Sequence, residues 1–168
     1  MSDKVFKAPY LTYNLIRKYA EDFLERYHHE RTIHVPIEEI VEFKLNIGIT
    51  PLPGLKERIE IEGFISSNLK TIYVDQGVME KYPNRYRFTL AHEVGHAILH
   101  EDLYKNVDFE SVEDWKHFIK CLDPREYGFF ELHAYNFAGL VLVPTERLEE
   151  GIKEALRSFN LKATIQEI

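Results

Sequence analysis

The feature that most constrains the fold of this chain is the segment Thr89–His100, in which His-Glu-x-x-His lies within a helical pattern of apolar residues. At about 100° per residue, His92 and His96 lie about 40° apart around a helix axis and one turn apart along it. Both imidazoles can therefore reach one tetrahedral zinc ion. Glu93 lies beside this pair and is a candidate to accept a proton from a water molecule that the metal activates. The segment thus predicts a metal site on a helix, with Glu93 as general base.

A helical projection of the same segment separates its apolar residues from its polar ones. The apolar residues on one side are Leu90, Val94, Ala97 and Ile98. The polar residues on the opposite side are His92, Glu93, His96 and His100. The alternative is a solvated, histidine-rich surface, but the intervening glutamate at this spacing is typical of a metal site.

A catalytic zinc site usually has three protein ligands and one open position, so a third ligand must come from elsewhere in the chain. The helical segment 131–144 offers Glu131 and His133. Glu131 shares a helix face with Ala134 and Ala138, whose small side chains would let another helix approach closely. His133 lies about 160° from Glu131 around the same helix, so only one of the two can ligate the metal.

Two periodicities divide the chain. Helical spacing of apolar residues predicts helices over 12–30, 36–46, 85–100, 126–143 and 145–159. Short β-branched and aromatic runs predict strands over 47–52, 59–65 and 72–74, with a hairpin turn at 66–68 between the last two. Segment 101–125 is the least predictable. We expect an α+β fold with a small, mostly antiparallel sheet flanked by helices, in one domain over residues 1–168.

Composition and charge exclude several classes of protein. The chain has 168 residues, 45% of them hydrophobic, which suits one domain with a core and excludes global disorder. The formal net charge is −7 and the sequence pI is about 5.6, so the chain lacks the basic footprint of a protein that binds nucleic acid directly. No apolar stretch approaches the roughly 20 residues needed to cross a bilayer, so we expect no membrane span.

Cysteine usage and the first residues predict the compartment. Cys121 is the single cysteine and cannot form an internal disulfide. Polar residues near the start of the sequence interrupt any run that would resemble a signal peptide. We therefore expect a reduced, cytoplasmic protein in which Cys121 is a small buried hydrophobic residue.

Two groups of residues, taken together, resemble the ImmA/IrrE metallo-endopeptidases, zincin-like intracellular proteins common in bacteria and mobile genetic elements. The residues that carry the resemblance are Arg87–His96 with Leu99 and His100, Glu131 with Ala134, Phe137 with Ala138, and Leu142-Val143-Pro144. The resemblance implies a single zincin-like domain. In register with the family pattern, the third metal ligand falls on Glu131 and not on His133.

The chain also departs from the family pattern. Tyr135 stands where family members commonly have Asn, and Val143 where they more often have Met. These differences concern substrate contacts and not the metal ligands. Family members often continue into a further helical region, and the sequence leaves open whether such a region is truncated here after about residue 160.

The resemblance implies a selective endopeptidase that acts on a helix-turn-helix transcriptional repressor of a mobile element or stress regulon. Two histidines and one glutamate suit Zn²⁺, and they also accept Mn²⁺ or Fe²⁺. We expect the peptide to lie along the outer strand of the sheet by strand addition. The sequence gives no indication of an oligomeric state.

Two other functions remain open. The first is a non-catalytic regulatory module that binds and inactivates such a repressor and uses the metal only to hold its fold. The second is a phage or toxin-antitoxin accessory protein of the same fold. A purely structural metal site would not need a glutamate at position 93 and usually closes all four coordination positions.

Several further residues are candidates for supporting roles. His100 lies one turn beyond His96, where it can orient that ligand or cap the helix end. Tyr104, His117 and Tyr127 are candidates to stabilise a developing oxyanion, and the spacing singles out none of them.

Overall fold

The structure is a computed structural model that describes residues 7–109 and 111–158. Its helices are α1 (Tyr13–Tyr27), α2 (Ile37–Glu39), α3 (Leu55–Ile59), α4 (Gln76–Lys81), α5 (Pro83–Leu99), α6 (Glu101–Tyr104), α7 (Val112–Lys120), α8 (Pro124–Leu142) and α9 (Thr145–Ser158). The strands are β1 (Gly48–Leu52), β2 (Gly63–Ile65) and β3 (Thr71–Asp75). A π-helical turn, Ile40–Lys44, continues α2. The expected end of the last helix at residue 159 lies outside the described residues, and so does the segment in which a truncated region would begin.

The three strands form one sheet in the order β1-β3-β2. β2 and β3 are antiparallel and joined by the predicted hairpin, whereas β1 pairs in parallel with β3 from Gly48 opposite Thr71 to Leu52 opposite Asp75. The α+β class is confirmed, but the expectation of a mostly antiparallel sheet is wrong, because the parallel pairing is the longer one. Residues 53–70 supply the long crossover that a parallel pair requires.

The sequence predicts the second strand over residues 59–65, but in the structure it begins only at Gly63. Residues Leu55–Ile59 form α3, and the strand is limited to Gly63–Ile65. The carboxylate of Asp75, at the end of β3, accepts a hydrogen bond from the backbone N–H of Lys56 at 2.9 Å and so stabilises the start of α3. This contact spans distant parts of the chain, and local apolar periodicity does not reveal it.

The motif helix α5 lies in the centre of the molecule. It packs against α8 on one side and against β2 and β3 on another, and α8 also packs against α1. An edge-to-face contact between Phe23 of α1 and Phe137 of α8, with ring centroids 5.7 Å apart, belongs to the same core. The polar face predicted for α5 is therefore covered: Glu93, His96 and His100 are all buried.

Segment 101–125, which has no clear pattern in the sequence, contains α6 and α7. Cys121 follows α7 directly and is exposed, so the expectation that it is buried is wrong. The chain places Leu122 inward instead, and the cysteine faces solvent at the end of a surface helix. Across the described ranges, no helix combines the length and the apolarity that a bilayer crossing requires.

Candidate active site

The close approach of α5 and α8 brings together two histidines and a glutamate. His92 and His96 project from successive turns of α5, and their Nε2 atoms are 3.0 Å apart. Glu131 projects from the second turn of α8, with one carboxylate oxygen 3.2 Å from His92 Nε2 and the other 3.5 Å from His96 Nε2. These three side chains offer ligand atoms close enough to hold one metal ion.

The separations of these ligand atoms fit a tetrahedral metal site. Zinc binds histidine nitrogen and carboxylate oxygen at about 2.0–2.2 Å, so neighbouring ligand atoms of a tetrahedron lie about 3.3–3.6 Å apart. The separations of 3.0, 3.2 and 3.5 Å are close to this range. Two facing Nε2 atoms also need a cation or a hydrogen between them, because bare nitrogen lone pairs repel each other. The geometry and the donor chemistry therefore fit a divalent metal.

The pKa values of the three side chains depend on one another. Burial lowers the pKa of His96 to about 4, although Glu131 opposes this. Burial alone would lower the pKa of His92. The hydrogen bond with Glu131 and the negative charge of Glu93 have the opposite effect and are stronger together, so the pKa of His92 is raised. Burial would raise the pKa of Glu131, yet its hydrogen bonds with both histidines hold it well below the usual range. At neutral pH, Glu131 is thus a carboxylate and His96 a neutral imidazole, the forms that bind metals.

Glu93 is buried next to this cluster, and its side chain lines the same cavity. Burial raises the pKa of Glu93 to about 7, and Glu131 adds to the rise, whereas His92 and a hydrogen bond from the backbone N–H of Ile65 act in the opposite direction. The contact with Ile65 joins the motif helix to strand β2. The carboxyl group is therefore held between the metal ligands and the edge of the sheet.

His100 and His133 lie behind the cluster. His100 Nδ1 is 3.1 Å from His96 Nδ1, and His100 Nε2 is 3.2 Å from His133 Nδ1. The structure thus places His133 away from the three ligand atoms, as the projection around α8 predicts. His100 contacts a candidate ligand directly, and it is also the C-cap residue of α5. Its position suits both predicted roles, which stay predictions.

A cavity of about 360 Å³ opens beside the cluster, and residues 63 and 64 of the edge strand β2 form part of its wall. Of the three oxyanion candidates, Tyr104 and Tyr127 line the cavity, and His117 does not. Tyr127 also donates a hydrogen bond to Glu131, and burial together with that carboxylate raises the pKa of its phenol well above the usual value; burial likewise raises the pKa of Tyr104. Both tyrosines therefore keep their phenolic hydrogen at neutral pH.

Sequence reasoning missed several aromatic residues of the site. Phe130 stacks on His96 and on His100, with ring centroids 4.1 and 4.3 Å apart. Its position one turn before Ala134, on the apolar stripe of α8, is a signal that could have identified it. Trp115 also lines the cavity, but it lies in the segment without a clear pattern, and nothing local indicates its role.

A pair of histidines and a glutamate between two packed helices, over a cavity at the edge of a sheet, defines a metallopeptidase-type domain. Residues 44–163 match Peptidase_M78, described as the IrrE N-terminal-like domain, and the chain belongs to this family. The match includes both helices that carry the candidate metal ligands, and it confirms the family that the sequence motifs resemble. A search of curated proteins found no match.

Proposed function

We propose that this protein is a zinc-dependent cytoplasmic endopeptidase that cleaves a helix-turn-helix transcriptional repressor of a mobile element or stress regulon. The observation that carries the proposal is the convergence of His92, His96 and Glu131 at tetrahedral spacing, with the Glu93 carboxyl beside them in an open cavity. Mn²⁺ or Fe²⁺ would fit the same ligands.

Each residue of the site has a defined task in this reaction. His92, His96 and Glu131 would hold a divalent ion, which when bound would supply the Lewis acidity that polarises a carbonyl and lowers the pKa of water toward neutrality. Glu93 accepts a proton from the attacking water and passes it to the amide nitrogen that leaves. A phenolic hydroxyl of Tyr104 or Tyr127 donates a hydrogen bond to the oxyanion that develops on the carbonyl.

The edge strand supports an extended polypeptide as substrate. Among the described residues, β2 pairs with β3 on one side and with no strand on the other, and its residues 63 and 64 line the cavity next to Glu93. A substrate chain that adds to this edge gains backbone hydrogen bonds, which align its carbonyls with the site regardless of sequence. The net charge of −7 favours encounter with the basic surface of a DNA-binding repressor.

Replacing Glu93 with Gln tests the proposal, because glutamine keeps the volume of the side chain but removes its basic carboxylate. The zinc-loaded protein is incubated with helix-turn-helix repressors encoded near its own gene, and fragments are identified by mass spectrometry. We expect Glu93→Gln to bind zinc and repressor normally and to cleave at least about 10²-fold more slowly, the usual loss on removing a general base. Glu149→Gln is a matched control, since Glu149 is an exposed residue of α9.

The rival function predicts a different result in cells. A regulatory module that inactivates the repressor by binding alone does not need Glu93. If Glu93→Gln relieves repression as well as the parent protein does, and the repressor stays intact, the endopeptidase proposal is wrong and the binding module replaces it.

A further inference from the structure

Three buried histidines form a continuous chain of hydrogen bonds that begins at the metal cluster and runs away from it. His96, His100 and His133 are only 3%, 1% and 4% exposed. The two links are His96 Nδ1 to His100 Nδ1 at 3.1 Å and His100 Nε2 to His133 Nδ1 at 3.2 Å. Phe130 stacks on the first two rings and limits their rotation. Both nitrogens of His100 are thus engaged inside the protein.

The order of donors and acceptors in this chain follows from the chemistry of imidazole. Two ring nitrogens share a hydrogen bond only when one carries a hydrogen and the other is bare. His96 turns Nε2 toward the other ligand atoms, so a metal there requires the hydrogen of His96 on Nδ1. His96 Nδ1–H then donates to a bare Nδ1 of His100, and His100 Nε2–H donates to a bare Nδ1 of His133. One tautomer at each ring satisfies the whole chain.

The other histidine of the cluster lacks such support. His92 Nδ1 is buried and has no hydrogen-bond partner among the described residues. The ring of His92 is held instead by aromatic packing, with Tyr135 edge-on at a centroid distance of 4.8 Å. The protein therefore fixes the two rings by different means. A hydrogen bond at Nδ1 sets the tautomer of His96, and the described residues supply no such bond at Nδ1 of His92.

We infer that His100 and His133 are positioning residues that lock His96 in the tautomer with a bare Nε2 and thereby raise the affinity of the site for zinc. This inference rests on the proposed function only for the identity of the metal. Partners that orient a metal-binding histidine typically contribute 10- to 100-fold in metal affinity. In most proteins these partners are carboxylates, backbone carbonyls or water molecules. In this protein the partner of His96 is the imidazole of His100, which is itself oriented by the imidazole of His133.

Zinc affinity of His100 variants separates this role from simple packing. His100→Leu fills the space but removes the acceptor, and we expect zinc affinity, measured by competition with a chromophoric chelator, to fall by about 10- to 100-fold. His100→Asn is smaller, yet its amide oxygen replaces Nδ1 as an acceptor, so it should recover most of the affinity. A packing role predicts the opposite order, because Asn leaves the larger cavity. His117→Leu, at an exposed histidine of α7, is the control and should bind zinc like the parent.

A second measurement uses the unaltered protein and does not depend on how the variants fold. In the zinc-loaded protein, long-range ¹H–¹⁵N correlation spectra should show His100 with its hydrogen on Nε2. A hydrogen on Nδ1 of His100, or an Asn variant that binds zinc no better than the Leu variant, would overturn the inference. If the affinities follow the expected order but the parent protein cleaves no repressor, the proposed function fails and the positioning role stands.

Discussion

Gly95 of α5 lies so close to Ala134 of α8 that a Cβ atom on Gly95 would be 3.1 Å from the Ala134 Cα and 3.3 Å from its carbonyl oxygen. Gly95 stands between Glu93 and His96, and Ala134 lies one turn after Glu131. The contact between these two small residues therefore sets the distance between the helices that carry the candidate metal ligands.

Gly95→Ala should separate α5 from α8 and weaken the site. The atoms that a methyl group would meet belong mainly to backbone and cannot move aside easily. Overpacking of this kind lowers the free energy of unfolding by about 1–3 kcal/mol, and the better helix propensity of Ala offsets about 1 kcal/mol of this loss. We expect a net loss of about 1 kcal/mol in the free energy of unfolding, measured by urea titration, together with weaker zinc binding.

Gly139→Ala is the matched control for this substitution. Gly139 lies within α8, and a Cβ atom there would meet nothing within 4 Å. The alanine should therefore stabilise the protein by up to about 1 kcal/mol and leave zinc affinity unchanged. Equal effects of the two substitutions would contradict a special role for the contact at Gly95.

Glu131→Ala should empty the metal site, because two histidines alone do not hold a divalent ion firmly at an open catalytic site. Zinc content after gel filtration should fall from one ion per chain to nearly none. His133→Ala should retain zinc, with a reduced affinity, since the structure places His133 two rings away from the ligand atoms. Stoichiometric zinc in Glu131→Ala combined with its loss in His133→Ala would show that the ligand choice is wrong.

Asp75 should make the fold sensitive to acid. Burial would raise the pKa of this carboxyl, but hydrogen bonds from backbone N–H groups, including those of Lys56 and Val78, outweigh it and hold the pKa below its usual 3.8. Because the folded pKa is depressed, the carboxylate stabilises the fold above the unfolded pKa. This contribution is lost as the pH falls through the folded pKa.

Asp75→Asn tests this expectation. At pH 7 we expect it to lower the free energy of unfolding by about 1–3 kcal/mol, because one buried N–H loses its acceptor. The difference from the parent should begin to shrink near the unfolded pKa of 3.8 and should disappear as the pH falls through the lower folded pKa, where the carboxyl of the folded parent becomes protonated. Asp108→Asn, at an exposed position, should match the parent at every pH. A constant difference across the acid range would refute the linkage.

The net charge of −7 should accelerate the encounter with a basic repressor. We expect the second-order rate of repressor cleavage to fall several-fold between about 20 and 150 mM salt, as screening shortens the range of the attraction. A short uncharged peptide substrate serves as the control and should be cleaved at a rate that depends little on salt. A flat salt dependence for both substrates would exclude electrostatic steering.

Local helix geometry predicted His92 and His96 as two of the candidate metal ligands, and the family resemblance supplied Glu131 as the third. The positions of His92 and His96 relative to each other depend only on the helical repeat, and the same repeat within α8 separates Glu131 from His133. The family match confirms the metallopeptidase-type domain, and the α+β class follows from the two periodicities along the chain. The metal-binding and catalytic roles assigned to these residues stay predictions until the variants are measured.

Tertiary structure alone decided which surroundings these residues have. The helical projection treated the histidine face of α5 as its polar side, yet Glu93, His96 and His100 on that face are buried, because α8 and β2 pack against α5. The parallel register of β1, the start of α3 under Asp75, the contact of Glu93 with Ile65 and the histidine chain all join residues far apart in sequence. Periodicity describes only neighbours within one element, whereas these contacts depend on how separate elements pack in space.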